Sequence, residues 1–494
     1  MTMWFEIALR AGQQEDGRAT LIAALGRIAA FAGHPSTRAL LHVREIPLKA
    51  PDWRLTVETL DGARTLRAIQ TEQPPMPGFT RYRSFARPAG DDLGASLREF
   101  AEAEAGLRVP LAKAHRVIGF AAQTVPAAGD GREIERIEWR IDMDGVYLRA
   151  LFETAADGHP ELRLSAPAVD GSLDALFSLA GAVIDATPFV VASGAASASS
   201  VDPVYAIGLD VPPSATRRAG FVAMAASVAG QWFGNEAAAR HGLGDEHVHQ
   251  LRVAQRRLKT LLKLFRDDID ETWHTHIAPE LAWFGGLLAE ARDWDVFAGK
   301  TLPAYAASDD DATRWQALAV AAEARRQDAR ERLRDALASQ RHARLALAFI
   351  EWLARFAVQE DAVPTSFVAF AARRIRKDYR RIAGVPDLVR LPAQERHRVR
   401  IQVKRLRYAL EFFRSILSSR TRKHAGELLG QLQSALGEAN DAVVAADRLA
   451  SLPEATDYQR GFARAWSAAA ARTDAQEGER VLRALRRPRL KASL

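Results

Sequence analysis

VHQLRVAQRRLKTLLKLF at 248–265 and RHRVRIQVKRLRYALEFF at 396–413 are one pattern written twice. The offset is 148 residues, and the same offset aligns EARD at 290–293 with EAND at 438–441. Two separate motifs in one register predict a duplicated half-domain. Each copy also predicts a helix with one apolar face and one cationic face led by a histidine.

On a helical wheel with His249 at zero, Arg252, Arg256, Lys259 and Lys263 fall within about 80° of it. Leu251, Leu258, Leu261, Leu262 and Phe265 centre about 170° away, as a core-facing stripe does. In the second copy His397, Arg400, Lys404 and Arg407 repeat the cationic arc, and Val399, Leu406, Leu410 and Phe413 repeat the apolar one. The copies part at Lys263, which aligns with Glu411, so charge is expected to weaken at that end of the second helix. Tyr408 borders the second arc where Thr260 borders the first. A charged helix face ordinarily meets only water and mixes glutamate with lysine at i, i+4. These arcs carry almost no acids. Like charges stacked on one face cost free energy unless an anion relieves it. Both copies share that lapse, which points to a long anionic ligand bracketed by two helices.

The chain of 494 residues is long enough for two or three domains. It has no cysteine, which excludes disulfides and thiolate chemistry. The opening MTMWFEIALRAG lacks the pattern of a signal peptide. No run of apolar residues is long enough to predict a membrane span. The net charge of +7 is unevenly placed: residues 1–214 hold 21 basic against 27 acidic residues, and the remainder 47 against 34. A polyanionic partner is therefore expected at the C-terminal part.

Strand-like alternation marks 4–9, 38–46, 52–60, 64–70, 136–143, 145–154 and 160–166. Asp61-Gly62 and Asp144-Gly145 read as hairpin turns. Residues 171–186 read as a helix opened by Ser172. Small residues and prolines over 189–214 read as a linker. Beyond it, apolar spacing predicts helices near 216–240, 245–267, 272–300, 310–338, 342–358, 364–383, 393–417, 420–449 and 456–486. The expected fold is an α+β domain of antiparallel β-structure, then an all-α domain of two helical bundles related by a pseudo-twofold.

The motif H-x-x-R-V/I-x-x-R/K-R-L-K/R, present twice and each time followed by E-A-R/N-D, resembles the CHAD domain, a histidine-containing α-helical domain. The resemblance covers about 215–487, with halves at 215–360 and 361–487. It implies non-catalytic binding of inorganic polyphosphate in a basic central channel, and residence in the cytoplasm on polyphosphate granules, with granule proteins as further partners. His249, Arg252, Arg256, Lys259 and Lys263 would line one wall, and His397, Arg400, Lys404 and Arg407 the other. Arginine can pair two phosphate oxygens at once, and lysine supplies a point charge. Neighbouring phosphates would favour protonated histidines. A structural alternative for His249 and His397 is a helix-end histidine held by a carboxylate.

Arg373, Arg376 and Arg380 share one face of the preceding helix and either widen the channel or meet solvent. Arg325, Arg326, Arg330, Arg332 and Arg334 alternate with acids and read as an exposed, self-paired helix. Glu290, Asp293, Glu438 and Asp441 read as acids that orient arginines rather than as metal ligands. The basic tail at 483–494, with Pro488 in it, is expected to be disordered.

Residues 1–188 resemble the CYTH or triphosphate-tunnel fold, through FEIALRA at 5–11 and PELRLSA at 160–166. That family's E-x-E-x-K motif falls here on Glu6, Ala8 and Arg10, and Arg163 stands where a further acid is expected. Metal-assisted triphosphate hydrolysis needs clustered carboxylates. The domain is therefore expected to be a degenerate, inactive relative, with no catalytic residues, metal or cofactor. The competing readings are nucleic-acid binding through the same basic surface and residual triphosphatase activity. Against the first, Tyr408 is the single stacking aromatic on the arcs.

Overall fold

The computed structural model describes residues 2–12, 17–32, 36–46, 52–72, 76–90, 92–93, 95–97, 99, 131–155, 160–192, 202–359 and 364–491; within its helices the side chains of 393, 436, 438–441 and 470–471 are outside the description. Two compact units emerge, Met1–Ala198 with Gln340–Arg355, and Ser199–Ser339 with Phe356–Leu494.

The first unit holds β1 (Met3–Ala11), α1 (Arg18–Leu25), α2 (Ala29–Ala32), β2 (Ser36–Ile46), β3 (Trp53–Leu60), β4 (Ala63–Thr71), β5 (Phe79–Ala89), β6 (Arg132–Met143), β7 (Val146–Ala155), β8 (Glu161–Pro167), α3 (Ser172–Ala186) and β9 (Phe189–Val191). The sheet order is β5-β4-β3-β2-β6-β7-β8-β1-β9, and β1 pairs with β5 as well. That extra pairing closes eight antiparallel strands into a tunnel-like barrel and removes their open edges. Both expected hairpins are present. Asp61 and Gly62 have φ of 48° and 80°, and Asp144 and Gly145 have 54° and 83°. Two successive left-handed residues give the turn whose twist matches the flanking strands.

Alternation along β1 sorts its side chains. Phe5, Ile7, Leu9 and Ala11 are buried. Phe5 stacks on Phe79 at 5.8 Å, and Phe79 stacks on Phe177 of α3 at 5.9 Å. Glu6, Ala8 and Arg10 take the opposite face, toward the barrel lumen. Strand β5 escapes the sequence reading because Arg81, Arg83, Arg87 and Pro88 interrupt its apolar residues. Helix α3 forms where expected, but Ser172 is its first helical residue; the cap is Gly171 at φ 80°, and the Ser172 side chain is fully buried.

From Arg217 the chain is helical: α4 (Arg217–Arg240), α5 (Asp245–Leu264), α6 (Ala278–Val296), α7 (Leu302–Ser308), α8 (Gln316–Ala338), α9 (Gln340–Val358), α10 (Phe367–Ala383), α11 (Ala393–Phe412), α12 (Ser419–Ala450) and α13 (Asp457–Ala484). Through Arg355, α9 counts with the first unit, where Arg344 pairs with Asp185 and Arg355 with Asp174 at 2.6 Å. The segment expected as a linker is partly structured. Val204 donates to Asn235 Oδ1 at 3.1 Å and accepts from Asn235 Nδ2 at 2.8 Å.

The duplicated helices bury the stripe the wheel assigns them except at Leu262, which is half-buried. Leu251, Leu258, Leu261 and Phe265 on one side, and Val399, Leu406, Leu410 and Phe413 on the other, are all buried. Phe265 and Phe413, one repeat apart, lie 6.4 Å from each other, and both contact Phe370, at 4.5 and 6.2 Å. Truncating one such buried ring costs about 3–5 kcal/mol. The starts of α4 and α10 exchange hydrogen bonds: Arg217 N donates to Thr365 O at 2.8 Å, and Phe367 N to Ala215 O at 3.3 Å. Only a glycine permits this approach, since a Cβ on Gly220 would meet the Phe367 ring at 2.4 Å.

The basic tail is ordered through Lys491. Ser418 N donates to Arg489 O at 3.1 Å, and Lys491 N to Ile416 O at 2.9 Å, clipping the tail to the turn after α11. Residues 492–494 lie outside the described residues. Among the described residues no helix is long and apolar enough to cross a membrane.

Candidate anion-binding groove

Helices α5, α10 and α11 frame a groove of about 450 Å³. From α5 come Arg256, Lys259, Lys263 and Thr260; from α10, Asp378 and Arg381. From α11 come Arg398, Lys404 and Arg405, with Ile401, Gln402 and Tyr408 between them. Seven cationic side chains thus share the groove with one carboxylate. Desolvation, then the Arg252 and Lys263 charges, hold the Lys259 ammonium below the ordinary lysine range.

Asp378 is the exception. It is buried, 3.1 Å from Arg405 and 3.6 Å from Arg381. Burial raises its carboxyl above the usual range, against the pull of Arg405, Arg381 and Arg374. It anchors two guanidiniums whose remaining N–H groups serve the groove.

The structure brings together part of the expected set. Arg256, Lys259, Lys263 and Lys404 line the groove; His249, Arg252, His397, Arg400 and Arg407 are outside its lining. Helix α5 presents the C-terminal part of the arc the wheel assigns it, Arg256, Lys259 and Lys263. Helix α11 instead presents Arg398 and Arg405, a face turned by about 100°. Arg407 donates to Gln433 at 2.8 Å. Arg252 approaches Asp293 at 3.7 Å, and Arg448 meets the same carboxylate at 3.3 Å. Asp293 therefore orients arginines, as expected of it, while Glu290 pairs with Arg332 at 2.8 Å. The side chains of Glu438 and Asp441 lie outside the described residues. Arg373, Arg376 and Arg380 are exposed on α10, and Arg381 takes the groove position instead.

His249 is half-buried, and its Nδ1 has no hydrogen-bond partner among the described residues. Burial first, then the Arg292 charge, push its pKa below the usual histidine value; Glu246 opposes this, and Arg256 and Arg252 add to it. His397 is exposed.

Sequence reasoning missed Arg381, Arg398, Arg405 and Asp378. Arg405 sits at the border of the apolar and cationic arcs, where a wheel assigns no clear face. Its counterpart Arg257 is 1% exposed and pairs with Glu411 at 2.8 Å, with Gln231 at 2.7 Å and with the Phe412 ring at 5.3 Å. Glu411, read as a loss of cationic charge, is thus the partner of a buried arginine. The arginines of α8 also differ from the reading. Arg326 keeps Glu323 at 3.4 Å, but Arg330 pairs with Asp295 at 2.8 Å and with Asp245, bonds to other helices rather than within one.

The barrel lumen is the second concentration of charge. Glu58 is buried between Arg67 at 3.0 Å and Arg136 at 3.2 Å. Arg136 meets Glu153 at 2.6 Å, and Arg163 meets Glu161 at 3.1 Å and Glu153 at 3.9 Å. Glu6 is pushed up by burial, against Arg163 and Arg54. The lumen holds more carboxylates than the sequence motifs reveal, since Glu58 and Glu153 join Glu6 and Glu161. These acids face guanidiniums, and among the described residues no group of three or more acids and histidines is placed to hold a metal ion.

The family model of the CHAD domain matches residues 223–450. No curated protein matches the chain. Among solved structures it is similar to the CHAD domain from the plant Ricinus communis, at 30% identity and a TM-score of 0.53, over 59% of this chain and 99% of that one. PptA from Streptomyces chartreusis is 18% identical, with a TM-score of 0.41 over 55% of this chain and 99% of its own. The putative adenylyl cyclase HpAC1 from Hippeastrum, described as having a dominant triphosphatase activity, is 16% identical, with a TM-score of 0.27 over 39% of this chain and 91% of its own. The repeated motif, the helical unit that carries it and the match along nearly the whole length of the plant domain together place this chain in the CHAD family.

Proposed function

We propose that the helical unit binds inorganic polyphosphate without turning it over, and that this binding places the protein on polyphosphate granules in the cytoplasm. The observation that carries the reading is the groove with seven cations and one acid. Polyphosphate offers a repeating anion with no bases to read, so guanidinium forks and ammonium points suffice. The two halves are read as bundles related by a pseudo-twofold, a view supported by the exchanged hydrogen bonds at the starts of α4 and α10. The proposed division is a barrel domain over 1–188, a connecting segment over 189–214 and the helical domain over 215–487.

Isothermal titration with long-chain polyphosphate tests the reading. Binding at physiological salt that weakens steeply as salt rises is the expected result, by the counterion release that governs polyanions. Absence of binding, or displacement of polyphosphate by duplex DNA at equal phosphate, would overturn it in favour of another polyanion. The barrel is read as catalytically inactive because its acids are engaged with arginines. Metal-dependent phosphate release from triphosphate, lost in Glu6→Ala, would reverse that part.

A further inference from the structure

The two motifs are not used alike. Lys263 lines the groove, whereas its counterpart Glu411 forms an ion pair with the buried Arg257. The counterpart of Arg257 is Arg405, which lines the groove and leans on Asp378. Around Arg257 the positions that would build a second groove are neutral. Gln250 stands where the other copy has Arg398, and it accepts from Gln231 at 2.8 Å. On α4 it is Gln231 that meets Arg257, at 2.7 Å, where Asp378 of α10 meets Arg405 at 3.1 Å. Gln250 and Gln231 are both buried, so that side is a packed layer rather than an opening.

The chemistry turns on one pair of aligned positions. An acid at 411 captures an arginine and lets helices close over it. A lysine at 263 offers no such carboxylate, and Arg405 lines the groove beside Asp378. We propose that the duplicated domain holds one polyanion groove rather than two, and that Lys263 is the residue that keeps it open: an acid at that position would engage Arg405 as Glu411 engages Arg257. The inference rests on the groove being the polyphosphate site.

Titration of the full chain with short polyphosphate tests it, with thermal melting to confirm that each variant folds. One site per chain is expected. Lys263→Gln weakens binding modestly, and Lys263→Glu weakens it at least about tenfold further. Arg405→Gln then costs affinity in the Lys263→Gln background and nothing more in the Lys263→Glu background, where that arginine is already captured. Val320→Glu, an acid placed on an exposed position of the same unit, leaves affinity unchanged and separates capture from net charge. Two sites per chain, or an equal loss from Arg405→Gln in both backgrounds, overturns the inference while leaving the groove as a polyphosphate site. A wild-type chain that binds no polyphosphate removes the site itself, and this inference with it.

Discussion

The barrel lumen and the helical groove are both rich in arginine, and they use it in opposite ways. In the lumen Arg67, Glu58, Arg136, Glu153, Arg163 and Glu161 form an alternating chain in which each charge meets its opposite. In the groove seven cations line a wall that holds one carboxylate, Asp378, with Arg405 and Arg381 beside it, while Arg398 pairs with Glu395 from outside the lining. The number of positive side chains therefore does not identify a binding site. The balance of acid to base distinguishes the two regions, because an internally paired charge has less attraction left for a ligand.

The contrast can be broken at the groove first. Replacing Arg256, Lys259, Lys263 and Lys404 with alanine removes four charge-assisted contacts of about 1 kcal/mol each, so affinity for polyphosphate falls about 1,000-fold by titration. The melting temperature holds or rises, since repulsion goes with the charges. In the lumen the same logic predicts the reverse pattern. Glu58→Gln leaves Arg67 and Arg136 short of a partner and destabilises the first unit by about 3 kcal/mol in chemical unfolding, with polyphosphate affinity intact. A smaller loss of about 1–2 kcal/mol is expected in the helical unit for Glu411→Gln, which takes the carboxylate from Arg257 and leaves it Gln231 and the Phe412 ring.

The smallest effect sharpens the comparison through pH. His249 has a folded pKa below its ordinary value of 6.5. Between the two values the unfolded chain holds more protons than the folded one, so stability rises with pH and is lost on acidification. Melting curves from about pH 7.5 to about pH 5.5 should show a steeper decline for wild type than for His249→Gln. Bound phosphate reverses the bias by favouring the imidazolium, so saturation with polyphosphate should flatten the difference.

The helices, the hairpins and the buried stripes were legible because each follows from local periodicity or turn chemistry. Asp61-Gly62 and Asp144-Gly145 show this for turns, and Leu258 and Leu406 show it for the core. Half of the groove was legible as well, through Arg256, Lys259, Lys263 and Lys404. The remainder depends on how α10 and α11 are rotated about their axes, which packing of Phe370, Phe413 and Asp378 settles and a wheel does not. Arg257 and Arg405 illustrate the limit: aligned arginines in one motif, one sealed in the core and one facing the groove, distinguished only by residues far away in sequence. The lumen acids Glu58 and Glu153 were hidden for a related reason, since barrel closure brings together strands distant in the chain.

The clip between Arg489–Lys491 and the turn at Ile416–Ser418 gives the far C-terminus leverage over a wall of the groove. Residues 489–491 brace the turn that ends α11, so cleavage behind Pro488 would slacken the helix that carries Arg398 and Arg405 without touching either one.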